Sequence, residues 1–69
     1  MTRRAIKRMS DALRDSRKRL KDEGKTDDIW LDAVYIIAGA IRSETPGFDV
    51  RRFCREVGMP DDAIAGYFP

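Results

Sequence analysis

Sixty-nine residues, 38% charged and 42% hydrophobic, leave room for one small folded domain with a modest core. A chain this short hides only about 60% of the surface its unfolded form exposes, so marginal stability is expected. One cysteine and no histidine exclude an internal disulfide and a Cys/His zinc site, and they suit a reducing compartment.

The net charge of +2 hides an asymmetry. Residues 1–25 hold ten Lys/Arg against four Asp/Glu, whereas residues 26–69 hold four against eight. Such a split points to docking on an acidic partner or on another molecule. No charge-free apolar run reaches about 18 residues, so no membrane span is expected. Met1-Thr2-Arg3-Arg4 leads into a charged segment rather than an apolar one, which predicts no signal peptide and a cytoplasmic location.

From Thr2 to Glu23 the pattern predicts a first helix. Ala5, Ile6, Met9, Ala12, Leu13, Ser16 and Leu20 fall within a stripe about 120° wide, as an amphipathic helix requires. Arg3, Arg4, Lys7, Arg8, Arg14, Lys18, Arg19 and Lys21 occupy the rest, with Asp11 and Asp15 placed as i,i+3 and i,i+4 partners. This basic face reads as solvated surface, as a phosphate-binding face or as a surface for an acidic protein. Gly24 is expected just past the helix end.

The next segment organises the rest. Ile29 to Ile41 is apolar almost throughout, and residues 33–38 are apolar without a break. Period-2 alternation is absent and the run is too long for a strand, so it predicts a helix over about 27–43. Thr26 or Asp27 serves as N-cap, Asp27 and Asp28 complement the dipole, and Pro46-Gly47 stops the element. Trp30, Leu31, Val34, Ile37, Ala38 and Ile41 form one broad face, which Ile29, Ala33, Ile36 and Ala40 extend. A helix apolar nearly all round is expected at the centre of a core. Gly39 costs about 1 kcal/mol relative to Ala inside a helix. Close packing against the first or third helix would justify it, as would an oligomer contact along Asp32, Tyr35 and Gly39.

Thr45-Pro46-Gly47-Phe48-Asp49 reads as a turn, with Asp49 capping a third helix over Val50 to Val57. Val50, Phe53, Cys54 and Val57 share one face, and Arg51, Arg52 and Arg55 project from the other. Cys54 is expected to be an inert core thiol rather than a reactive one. Gly58 ends this helix. Pro60 suits the first position of a last helix, with Asp61 and Asp62 at its positive end. Ala63, Ile64, Tyr67 and Phe68 give it an apolar face.

Catalysis is not supported, since a lone buried cysteine has no base and the carboxylate pairs sit at helix starts. No Gly-rich phosphate loop is present, and no cofactor is expected. Cys54, Gly58, Ile64 and Tyr67, at spacings of 4, 6 and 3, resemble the helix-turn-helix pattern of small bacterial regulators. The resemblance makes residues 50–57 a supporting helix and 60–68 a recognition helix. Asp61, Asp62, Ala63, Ala65 and Gly66 supply no Arg, Lys, Asn or Gln to pair with base edges, and the aspartates repel phosphate. The expected use of this shape is packing. Separately, Pro46-Gly47-Phe48-Asp49-Val50-Arg51-Arg52-Phe53, followed by Gly58, resembles a Pro-x-Phe-Asp-x-x-Arg-Phe stretch in small helical phage and mobile-element proteins of unknown function. It implies a helical accessory protein.

The combined expectation is an all-α domain over residues 1–69, with three to four helices around the central one. Its function is expected to be non-enzymatic protein binding through Arg3, Arg4, Lys7, Arg8, Arg14, Lys18, Arg51, Arg52 and Arg55. Nucleic acid is the second partner class, and a homodimer is the third.

Overall fold

The computed structural model describes residues Met1–Pro69 and contains four helices: α1 (Arg3–Asp22), α2 (Asp27–Glu44), α3 (Val50–Val57) and α4 (Asp61–Tyr67). Local chemistry sets each boundary. The Thr2 hydroxyl accepts from the Ala5 N–H at 3.1 Å and starts α1. Gly24, at φ +77°, ends it. There the Gly24 N–H donates to the Lys21 carbonyl and the Lys25 N–H to the Leu20 carbonyl, the paired bonds of a Schellman turn.

Thr26 holds the N-cap position of α2 in extended backbone, yet its side chain makes no capping bond. The first turn of α2 carries Asp27 and Asp28 instead. The chain then reverses through Thr45-Pro46-Gly47-Phe48, where the Phe48 N–H donates to the Thr45 carbonyl and Gly47 has φ +79°. Proline second and a positive-φ glycine third make this a type II turn. Asp49 caps α3 by accepting from the Arg52 N–H at 3.0 Å. Gly58 closes α3 at φ +101°, with the Met59 N–H reaching back to the Cys54 carbonyl. Pro60 precedes α4 as its cap rather than standing in its first turn.

The helices meet on one core. Leu13, Trp30, Val34, Ala38, Ile41, Val50, Phe53, Cys54, Val57, Met59 and Ile64 are its buried members. α1 packs on α2 and α3, α2 on α3, and α3 on α4.

The central helix is covered over only part of its circumference. Trp30, Val34, Ala38 and Ile41 are buried, but Ile29 and Ile36 are 56% and 67% exposed, and Ala40 is exposed as well. The molecule measures 36 × 26 × 15 Å. Packed helix axes lie about 8–10 Å apart, so 15 Å accommodates two helix layers and not three. α2 therefore has a covered side and a bare one. Gly39 belongs to the bare half, because a Cβ built there meets nothing within 4 Å. Packing against α1 or α3 does not account for it. On α1, Ala12 lies exposed and Ser10 is buried instead.

Candidate interaction site

Arg17 locks α1 to the elements around it. It lies one turn from both Leu13 and Leu20, inside the apolar stripe of α1 rather than on its basic face. Its guanidinium pairs with Asp27 at 3.1 Å and donates to the Gly58 carbonyl at 2.9 Å. It also stacks 4.8 Å from the Trp30 ring centroid, a cation–π arrangement. One side chain thus joins the middle of α1, the start of α2 and the end of α3. The hydrogen bond from Arg17 is the main reason the Asp27 carboxyl titrates below the usual carboxylate range. Beneath it, the buried Trp30 indole donates to the Leu13 carbonyl at 2.7 Å, so the one polar atom of the largest core residue is satisfied.

The basic residues expected to bind a partner divide among three places. Arg3 and Lys7 of α1 lie beside Arg52 of α3 across a cleft of about 380 Å³ floored by Ile6, Phe48 and Phe53. Asp49 and Glu56 share this cleft. Lys7 pairs with Asp11 and Arg52 with Glu56, both at 3.3 Å and both exposed. Exposed pairs of this kind contribute about 0–1 kcal/mol and open readily. Arg4, Arg8, Arg14 and Lys18 remain on the solvent side of α1, exposed and without an ion pair. Arg51 and Arg55 face elsewhere. Arg51 donates to the Phe68 carbonyl at 2.9 Å, and Arg55 approaches Asp61 at 3.8 Å.

The tail engages part of the oligomer contact expected from sequence. The Tyr67 hydroxyl donates to Asp32 at 3.0 Å, which raises the Tyr67 pKa above its ordinary value. Tyr35 packs against Tyr67 and Phe68 with ring centroids 5.3 and 5.2 Å apart. Gly39 stays open beside them. Cys54 is buried, and that burial pushes its thiol pKa up, against nucleophilic use. In α4, Asp61, Asp62, Ala65 and Gly66 face solvent while Ile64 is buried.

Sequence reasoning overlooked Arg17 and Ser10. Both lie on the stripe defined by Ile6, Leu13 and Leu20, so the helical repeat marks them once polarity is set aside. Comparison with protein-family models, curated proteins and solved structures finds no match to the chain.

Proposed function

We propose that the protein is a non-enzymatic binding module that grips an acidic protein segment along the α1–α3 cleft. The observation that carries this reading is the cleft's composition: an apolar floor of Ile6, Phe48 and Phe53 between Arg3, Lys7 and Arg52. Apolar contacts supply affinity, and the basic rim supplies orientation and rate of encounter. A phosphate backbone has little use for such an apolar floor. The resemblance of residues 46–53 to small phage and mobile-element proteins suggests the setting of an accessory protein that redirects a host machine. Part of that resemblance, Gly47, Phe48, Asp49, Arg52 and Phe53, lines the cleft itself.

Nucleic acid is the competing partner, favoured by the seven unpaired cations of α1, Arg3, Arg4, Arg8, Arg14 and Lys18 with Arg19 and Lys21. Capture from a nuclease-treated bacterial lysate, with the wild type against Arg3→Glu/Lys7→Glu/Arg52→Glu, separates the two. A protein retained by the wild type and lost by the variant supports the proposal. Tight binding of duplex DNA that falls steeply with salt would overturn it in favour of nucleic acid.

A further inference from the structure

We propose that the bare side of α2 is a self-association surface, covered by the same side of a second copy of the chain running antiparallel to it. Ile29, Ala33, Ile36 and Ala40 recur at spacings of four, three and four residues, the repeat that keeps a seam facing one partner helix. α2 carries all four in one unbroken helix. Ile29 and Ile36 are the two most exposed large apolar side chains of the molecule, and Ile36 stays 67% exposed although it borders the groove that Tyr67 and Phe68 line.

Spacing alone would suit many helical partners. Complementarity of the surface with itself selects a second copy. In an antiparallel pair with Ile29 over Ala40 of the other copy, Ile36 falls over Ala33. Each large side chain then meets a small one, and the twofold axis repeats both contacts. The same register brings Glu44, which flanks this strip, towards Lys25 of the other copy. Neither residue forms an ion pair within its own chain, so both are available. Opposed helix dipoles favour the arrangement too. A parallel pair would stack Ile29 on Ile29 and Glu44 on Glu44, leaving voids at the alanines and like charges together.

The extent of the surface sets the expected strength. Eighteen residues give a ridge about 27 Å long and one helix wide, short of the about 800 Å² per partner of a standard interface. The adjoining groove of about 610 Å³, lined by Met9, Ala12, Ser16 and Ile37 among others, widens the apolar strip. Weak, reversible association is expected.

Sedimentation equilibrium of the full chain from about 5 µM to about 1 mM should show reversible monomer and dimer. Ile36→Lys replaces a solvent-facing side chain, so circular dichroism should be unchanged while dimerisation weakens at least about tenfold. For orientation, Ile29→Cys mixed with Ala40→Cys should form the mixed disulfide faster than either self-pair; Cys54 is buried. A chain that remains monomeric at about 1 mM overturns the proposal. So does a dimer indifferent to Ile36→Lys, or one in which self-pairs form fastest.

Discussion

The two sides of α2 are built from the same kinds of residue and meet opposite fates. Trp30, Val34, Ala38 and Ile41 are sealed into the core, whereas Ile29, Ile36 and Ala40 face solvent. Hydrophobicity does not tell them apart. What differs is whether another element is available to lie against each side. α1 and α3 approach α2 from one half of its circumference, and the tail closes the Asp32–Tyr35 edge through Tyr67 and Phe68. None of the other three helices covers the remaining quarter. Apolar residues there do little to stabilise the fold, which is why they can serve association instead.

The largest expected effect breaks the comparison directly. Trp30→Ala should destabilise the fold by about 3–5 kcal/mol, enough to unfold a chain this small at room temperature. Ile36→Ala should change stability by less than about 0.5 kcal/mol. Urea denaturation below the dimerising concentration reads both. Equal losses would mean that the outer side is packed within the chain.

Next in size is the Arg17 junction, which holds the inner side shut. Arg17→Met keeps the stem and removes the charge, the Gly58 bond and the stacking. A loss of about 2 kcal/mol is expected, with Arg17→Lys recovering little because the fork is gone. The junction also predicts a pH dependence. Asp27 has a folded-state pKa below its unfolded value of about 3.9, so its contribution is full above that value. The contribution fades as pH falls through the lower folded pKa. Asp27→Asn should lower stability by a constant amount above about pH 6 and flatten the acid limb, the two stability–pH curves converging as pH falls through the folded pKa.

The smallest effect sharpens the contrast from the bare side. Gly39→Ala should stabilise the monomer by up to about 1 kcal/mol, because it removes the helix penalty of glycine and nothing lies within 4 Å of the new methyl. Gly58→Ala should do the reverse at φ +101°, costing about 1–2 kcal/mol. Thermal melts of the two variants check the sign.

The helices themselves were legible in the sequence because local chemistry decides them. Asp49 caps α3, and Gly24 and Gly58 take the positive φ that ends a helix cheaply. The candidate site was legible only in part. Arg3, Lys7 and Arg52 are apparent as charges, but their convergence depends on how α1 crosses α3, which no local spacing encodes. Arg17 was hidden because a cation inside an apolar stripe looks like noise until its partners, Asp27 and the Gly58 carbonyl, are brought to it.

The sequence by itself determined three to four helices, most of their ends and which residues of α3 turn inward, since capping, turn geometry and amphipathic period act within a few residues. Tertiary structure alone decided which half of α2 is buried. An apolar circumference has no preferred direction until neighbours occupy some of it, and a chain of 69 residues supplies neighbours for one side only.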